Sequence, residues 1–208
     1  MATWKEIVAA NPDHSENYAQ RWRNFVQQGK DIDGEARLID ALSARHSRIL
    51  DAGCGTGRLG GYLAKRGHIV FGVDIDPVLI GYAKQDFPEA TWGVGDLSAD
   101  PIEVRDIDIA VSAGNVMGFL AVDGRRPALE NIFRTLRPGG RFVVGFGRGR
   151  GWEFDDFLTM CHEVGFQPQH QFASWDLEPF TEQSGFLVAV LQKPKVDEQA
   201  VRSLTNLL

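Results

Sequence analysis

The chain has 208 residues, of which 43% are hydrophobic and 24% charged, and its formal net charge at pH 7 is −6. This composition is typical of a globular domain long enough to bury a substantial core, and the negative charge argues against a large nucleic-acid footprint. No apolar run reaches membrane-spanning length, the first residues lack the apolar core of a signal peptide, and Cys54 and Cys161 lack metal-ligand spacing, so we expect a reduced, cytoplasmic protein with no metal, nucleic-acid or membrane site.

The first 47 residues are predicted to be helical, because apolar residues recur there at the spacing of one helix face. One set comprises Tyr18, Trp22, Phe25 and Val26, and the other comprises Leu38, Ala41 and Leu42. We interpret residues 1–47 as a helical lid that precedes the main domain.

From residue 48 onward, predicted strands and helices alternate. Apolar runs predict strands near Arg48–Asp51, Ile69–Val73, Thr91–Val94, Ile107–Ser112 and Arg141–Phe146. Helices are predicted from Asp76-Pro77 through Gln85, over the stripe of Leu129, Ile132, Phe133 and Leu136, and over the stripe from Phe154 to Cys161 that Gly165 ends.

Two further strands are predicted near residues 169–177 and 185–191, and no long helix separates them, which favours an antiparallel pair. The predicted fold is therefore α/β: a doubly wound, mostly parallel seven-stranded sheet with a late antiparallel pair and helices on both faces. This domain is expected to span residues 48–193, with a C-terminal tail over residues 194–208.

The first two predicted strands end in residues suited to a nucleoside ligand. The first runs into Asp51-Ala-Gly-Cys-Gly-Thr-Gly57, a glycine loop whose backbone N–H groups can hold a polar tail. The second ends at Asp74, 19 residues after Gly55, where a carboxylate can accept hydrogen bonds from ribose hydroxyls. In a doubly wound sheet both features lie at the carboxyl ends of the strands, which is where ligands bind.

Five segments in order resemble the motifs of the class I S-adenosylmethionine-dependent methyltransferases, over Ile49 to Leu191. They are Asp51 to Gly57, Gly72-Val-Asp-Ile-Asp76, Gly95-Asp-Leu97, Asp108-Ile-Ala-Val-Ser-Ala-Gly-Asn115 and Leu136-Arg-Pro-Gly-Gly140. The resemblance implies methyl transfer from S-adenosylmethionine. It also implies roles for individual residues. Asp51 would contact the cofactor's amino group, and Gly53, Gly55 and Gly57 would lie along its methionine part. Asp74 would bind the ribose, Ile75 would pack on the adenine, and Asp96 and the Leu97 N–H would lie at the adenine edge, while Ala113, Gly114 and Asn115 would form the floor near the methyl.

Two departures from the family favour a small-molecule acceptor. No Asn/Asp-Pro-Pro-aromatic sequence follows the fourth strand, which disfavours nucleobase amino groups, and neither cysteine follows a proline, which disfavours attack on base carbon. We interpret Asn115 and Tyr18 as candidates for orienting the acceptor. Arg148 and Arg150 lie in a glycine-rich loop after the fifth strand, where they either bind an anionic acceptor or belong to a flexible surface loop.

Several alternatives remain open from the sequence. Gly55-Thr-Gly57-Arg-Leu-Gly60 also matches G-x-G-x-x-G, so an NAD-dependent oxidoreductase is the nearest rival, although the match begins late. A sensor that binds the cofactor without methyl transfer is another. Arg58 either pairs with the cofactor's carboxylate or is solvated, and His14 precedes the predicted lid helix. The oligomeric state stays open.

Overall fold

The computed structural model describes residues 2–195, so most of the predicted tail at 194–208 lies outside the described residues. In this part of the chain seven strands form one sheet: β1 (Arg48–Ala52), β2 (Ile69–Asp74), β3 (Thr91–Val94), β4 (Ile107–Ser112), β5 (Leu136–Gly147), β6 (Gln167–Phe172) and β7 (Phe186–Gln192). Their order across the sheet is β3-β2-β1-β4-β5-β7-β6. β1 to β5 pair in parallel, whereas β7 is antiparallel to both β5 and β6. The predicted α/β fold class is confirmed.

Seven α-helices connect and precede the strands in residues 2–195. They are α1 (Trp4–Ala10), α2 (His14–Gln27), α3 (Gly34–Leu42), α4 (Arg58–Lys65), α5 (Pro77–Asp86), α6 (Arg125–Thr135) and α7 (Phe154–Val164), and 3₁₀ turns lie at Val116–Phe119 and Val122–Gly124. The expected helix signals hold: Asp76 caps α5 at Val78 N–H and Leu79 N–H, and Gly165 ends α7 in the left-handed conformation.

Several local features differ from the sequence prediction. α6 ends at Thr135, so Leu136 is not part of the helix, and β6 spans Gln167–Phe172 rather than residues 169–177. β5 begins at Leu136 rather than Arg141, because Leu136 pairs with Ile107 of β4 ahead of a register shift. α1 was not predicted as a separate helix. Its N-terminus is fixed by a capping box, in which Thr3 Oγ1 accepts from Glu6 N–H and Thr3 N–H donates to the Glu6 carboxylate. The Thr-x-x-Glu pattern was the available signal.

The strands bury side chains on both faces of the sheet. Leu50 and Ala110 belong to one core cluster, with Phe142 and Phe157, while their neighbours Ile49 and Ile109 belong to the other. This alternation follows from the two-residue period of a strand. Helices therefore cover both faces, as the doubly wound topology requires.

α3 contributes to the second of these clusters, through Ala36 and Ile39, which are fully buried beside Ile49 and Leu63. α1 and α2 instead lie over the carboxyl ends of the strands, where their residues line a cleft. A domain boundary at residue 47, with a helical lid before it, stays a prediction, and only α1 and α2 occupy the position of a lid. None of the helices in residues 2–195 combines the length and apolar character needed to cross a membrane.

Candidate active site

A cleft of about 1340 Å³ lies at the carboxyl ends of the central strands. Its floor and walls include most of the residues predicted for the site: Gly53 and Gly55 after β1, Asp74 and Ile75 after β2, Asp96 and Leu97 after β3, Ala113, Gly114 and Asn115 after β4, Arg150 after β5, and Tyr18 of α2. The structure thus brings together residues spread over more than 130 positions of the sequence, while Asp51, Gly57 and Arg148 lie outside the lining.

The glycine loop after β1 has a shape that only glycine allows. Gly53 has φ +82°, and a Cβ there would lie 2.4 Å from the Val116 side chain. Gly57 has φ +77° and precedes α4, and a Cβ there would lie 2.9 Å from Ala83. Gly53 therefore borders the cleft, whereas Gly57 supports the loop by packing against α5.

Asp74 connects the end of β2 to the glycine loop. Its Oδ2 accepts a hydrogen bond from Gly55 N–H at 2.8 Å, and its Oδ1 accepts from Asp76 N–H at 2.9 Å. The side chain is almost buried, and burial raises the pKa of Asp74. A carboxylate has about four acceptor positions, so two backbone donors leave it able to accept from a ligand's hydroxyl groups.

Asp51 lies beneath the cleft rather than on its surface. Its Oδ2 accepts from Gly60 N–H at 3.0 Å, at the start of α4. Burial raises the pKa of Asp51 to about 7. A carboxyl group with such a pKa changes its charge within the neutral range, where the charge of a nearby ammonium ion would favour the ionised form.

The raised pKa of Asp51 predicts a pH-dependent stability that Asp51→Asn removes. The carboxyl group of the unfolded chain ionises near pH 3.9, whereas that of the folded chain holds its proton up to about pH 7. Between these values the folded state binds more protons, so the free energy of unfolding falls as pH rises, by at most about 1.4 kcal/mol per pH unit, and levels off above pH 7.

Urea denaturation of both proteins between pH 5 and 8 measures this effect. The free energy of unfolding of wild type minus that of Asp51→Asn is expected to decrease most steeply from pH 5 to 7, and to level off by about pH 8. The change of this difference with pH is the quantity to read, because the extra amide donor of the variant lowers the free energy of unfolding by an amount that does not depend on pH. Parallel curves for the two proteins would contradict the assignment.

Asp96 and Leu97 form the wall after β3. Asp96 Oδ1 accepts from Ser98 N–H at 2.9 Å, and Oδ2 pairs with Lys5 Nζ of α1 at 2.8 Å. Leu97 is buried, and its carbonyl accepts from the Asn131 side chain. The backbone here is therefore fixed, and α1 reaches the acid predicted at the adenine edge.

An aromatic cluster covers the cleft from the side of α1 and α2. Trp4 makes edge-to-face contacts with His14, Tyr18 and Phe119, at ring-centroid distances of 4.9, 5.5 and 5.6 Å. All four side chains line the cleft. Burial raises the pKa of Tyr18, so its phenol keeps its proton at neutral pH and can donate a hydrogen bond to a ligand.

Asp76 anchors this cover to the sheet. Its Oδ2 accepts from Trp4 Nε1 at 2.7 Å and from the Ser15 hydroxyl, while its Oδ1 caps α5. Because Asp76 N–H also donates to Asp74, one buried carboxylate links both covering helices to the strand that carries Asp74. From the sequence, only a capping role is predicted for Asp76. The anchor could not be found from sequence, because its partners lie more than 60 residues away.

Asn115 has a conformation that directs its carboxamide. It adopts φ +66°, and its Oδ1 accepts from Gly147 N–H of β5 at 2.8 Å. This bond fixes the orientation of the amide, so the NH₂ group is the end left for the cleft. Asn115 can therefore donate to a ligand, but it is not a proton acceptor for catalysis.

The arginines divide into those that are tied down and those that line the cleft. Arg148 donates to the carbonyls of Glu182 and Ser184, at 2.9 and 3.2 Å, which places it outside the predicted acceptor site. Arg58 pairs with Glu35, donates to the Ile32 carbonyl and lies over the Trp22 ring, so it is neither solvated nor available to a cofactor.

Arg150 and Arg21 line the cleft. Within residues 2–195 neither makes an ion pair, and the Arg21 guanidinium lies 5.0 Å from the centre of the Tyr18 ring. Arg21 was missed from the sequence, because it does not belong to the apolar stripe that marks α2. A helix-wheel reading of α2 would have placed it one turn from Tyr18.

These residues fit the cofactor that the motifs imply. The carboxylate of Asp74 stands at the end of β2, the glycine loop beside it offers a surface without side chains, and Tyr18 lies 3.6 Å from where a Gly55 Cβ would be. S-Adenosylmethionine has a diol, an extended polar tail and a flat base, and each finds a matching surface in this cleft.

Comparisons with known proteins agree with this geometry. A family profile described as a methyltransferase domain matches residues 49–140. The chain is 64% identical to a TehB-like SAM-dependent methyltransferase of Corynebacterium glutamicum whose crystal structure is known; the similarity covers 88% of this chain and 100% of that one, with a TM-score of 0.86. The N-methyltransferase NodS of Bradyrhizobium japonicum, solved with S-adenosyl-L-homocysteine, is 22% identical, with 77% and 86% covered and a TM-score of 0.62, and shares the fold.

Among curated proteins, the magnesium-protoporphyrin O-methyltransferase of Rhodobacter capsulatus is 34% identical over 159 residues, which is 69% of this chain and 66% of that enzyme. The chain spans smaller shares, 28% and 35%, of two further curated relatives. The similarity to the C. glutamicum protein extends over that whole chain, and the motifs lie where the fold requires them. The resemblance to the class I methyltransferases is therefore confirmed, and this chain belongs to the S-adenosylmethionine-dependent methyltransferases.

Proposed function

We propose that this protein transfers a methyl group from S-adenosylmethionine to a small-molecule acceptor. The observation that carries the proposal is a single cleft in which Asp74, the glycine loop and Asn115 all take part. Its volume of about 1340 Å³ exceeds the roughly 300–1,000 Å³ of a site for one drug-sized ligand, so a cofactor and an acceptor have room together.

In this proposal the cofactor residues are those predicted from the motifs, with changes of role at Asp51, which lies beneath the cleft, at Gly57 and at Arg58. Asp74 accepts from the ribose hydroxyls, Asp96 and Leu97 border the adenine, and Ala113 and Gly114 form the floor at the methyl. Gly57 supports the loop from behind, since it does not line the cleft. Arg21, rather than Arg58, is the guanidinium proposed to pair with the cofactor's carboxylate, because it lies over the Tyr18 ring and lines the cleft.

The bound cofactor supplies a methyl group already activated by its positive sulfur, so the protein's part is alignment and exclusion of water. Trp4, Tyr18 and Phe119 close the cleft with apolar surface. Tyr18 and Asn115 act as hydrogen-bond donors that orient the acceptor, because the raised pKa of Tyr18 keeps its proton in place and the Asn115 oxygen is bound to Gly147.

The small-molecule class of the acceptor is part of the proposal. The relatives' names include O-methyltransferases that act on magnesium-protoporphyrin and on malonyl-[acyl-carrier protein], which differ widely in size. The negative net charge and the acids Asp96 and Asp123 on the cleft wall favour neither nucleic acid nor an anionic membrane as acceptor.

A cytoplasmic setting belongs to the same proposal and is supported by two buried, unpaired cysteine thiols in the described residues.

Binding and turnover assays test the proposal against its rivals. S-Adenosylhomocysteine is expected to raise the melting temperature in a thermal-shift assay, whereas NADH is expected to have no effect. Incubation with the methyl-labelled cofactor and a metabolite extract should then yield labelled small molecules. Stabilisation by NADH alone would favour the oxidoreductase, and cofactor binding without any label transfer would favour the sensor.

A further inference from the structure

Two donors that line the cleft, one of them on the exposed residue Arg150, have no partner in residues 2–195. The Asn115 NH₂ group makes no hydrogen bond there, because only Oδ1 is used, and the Arg150 guanidinium makes neither a hydrogen bond nor an ion pair. Both groups donate and neither can accept. A ligand that satisfies them must therefore present acceptor atoms.

The 3₁₀ turn after β4 brings the backbone segments that carry these donors close together. Gly118 N–H donates to the Asn115 carbonyl at 2.9 Å, so the two residues are one turn apart. A Cβ on Gly118 would lie 2.6 Å from the Arg150 Cβ, which shows that the loop after β5 packs directly on this turn. The Arg150 Cβ therefore lies against the turn that Asn115 begins, on the same wall of the cleft.

The charges of the cleft are distributed unevenly. Asp96, where the adenine edge is proposed, is paired with Lys5 at 2.8 Å. Arg150 has no such partner in residues 2–195; it packs on the turn that follows Asn115, and apolar side chains such as Phe119 and Leu120 also line the cleft. In a chain of net charge −6, an unpaired guanidinium on the cleft wall favours an anion there.

We propose that the methyl acceptor is an organic carboxylate with an apolar body, bound through its carboxylate by Arg150 and the Asn115 NH₂ group. This inference rests on the proposed function and names its substrate class. A guanidinium matches the two oxygens of a carboxylate, the amide adds a third donor, and the aromatic cluster of Trp4 and Phe119 covers the apolar body.

Calorimetry with a matched pair of probes tests the carboxylate site. Phenylacetate and phenylacetamide have the same body and differ in charge, and each is titrated into protein saturated with S-adenosylhomocysteine. Phenylacetate is expected to bind about tenfold more tightly than phenylacetamide, because one charge-assisted hydrogen bond at a partly exposed site contributes roughly that factor to the affinity. Arg150→Ala is expected to abolish this preference.

Two further variants separate the site from general charge effects. Asn115→Asp keeps an acceptor for Gly147 N–H but replaces the free donor with an oxygen, so it should reverse the preference in favour of the amide. Arg148→Ala removes an equal charge from the same loop, yet its guanidinium binds the Glu182 and Ser184 carbonyls outside the cleft, so the preference should remain.

The outcomes separate this inference from the proposed function. Equal binding of the two probes, no binding of phenylacetate at millimolar concentration, or a preference that survives Arg150→Ala would overturn the carboxylate site. Displacement of phenylacetate by equimolar inorganic phosphate would overturn the choice of a carboxylate over other oxyanions. Failure of wild type to bind S-adenosylhomocysteine would instead overturn the proposed function, and this affinity is measured first in every variant.

Discussion

Asp74→Ala is expected to weaken the binding of S-adenosylhomocysteine by about 100-fold or more. The ligand loses a charged acceptor for two hydroxyl groups, and each hydrogen bond to a charged group contributes about 1.5–3 kcal/mol. The loop changes as well, because Gly55 N–H and Asp76 N–H lose their common acceptor. Calorimetric titration of the ligand into each protein gives the affinity directly.

Two other variants show where the effect arises. Asp74→Asn keeps one oxygen for the backbone donors but cannot accept from both of them and from the ribose, so its affinity is expected to lie between those of wild type and Asp74→Ala. Asp156→Ala removes an exposed carboxylate from the first turn of α7, outside the cleft, and should bind as wild type does. An unchanged affinity in a folded Asp74→Ala protein would remove the ribose assignment.

The parts of this molecule that follow from sequence are those controlled by local physics. β4 runs over Ile107–Ser112 as the apolar run predicts, and α5 begins at Pro77 because Asp76 and proline together start a helix. The glycine loop was also predictable, because Gly53 and Gly57 adopt backbone conformations that other residues rarely reach.

The parts that sequence could not reveal depend on pairings between distant residues. Arg58 and Arg150 both looked available to ligands, but Glu35 occupies the first and no described residue occupies the second. Arg148 lies two positions before Arg150, yet its guanidinium binds the loop between β6 and β7. In such cases the role of a side chain depends on its partner, and tertiary packing determines that partner. The pattern of residues along the sequence contains no signal for such long-range pairings.

The anchor at Asp76 leads to the second large effect: Asp76→Asn is expected to speed the dissociation of S-adenosylhomocysteine by about tenfold. Asparagine keeps a carbonyl oxygen that can cap α5, but its NH₂ group then faces the donors Trp4 Nε1 and the Ser15 hydroxyl. The Ser15 hydroxyl can turn to accept from that NH₂ group, so only the bond from Trp4 Nε1 is lost, and the loss of one hydrogen bond to a charged acceptor corresponds to roughly this factor. Stopped-flow displacement of the bound ligand measures the rate.

Comparison with Asp76→Ala and Trp4→Phe distinguishes a moving cover from a mere change in stability. Asp76→Ala also loses the helix cap, so it should unfold about 1 kcal/mol more easily than Asp76→Asn while releasing ligand equally fast. Trp4→Phe keeps an aromatic ring and the cap and removes the Nε1 donor, so it should speed release while shifting the urea midpoint less than Asp76→Ala does. If release instead follows global stability across the three variants, α1 and α2 do not open separately from the sheet, and Asp76 only stabilises the fold. If release follows the loss of the Trp4 contact, this one carboxylate couples closure of the cleft to the strand that holds the ribose.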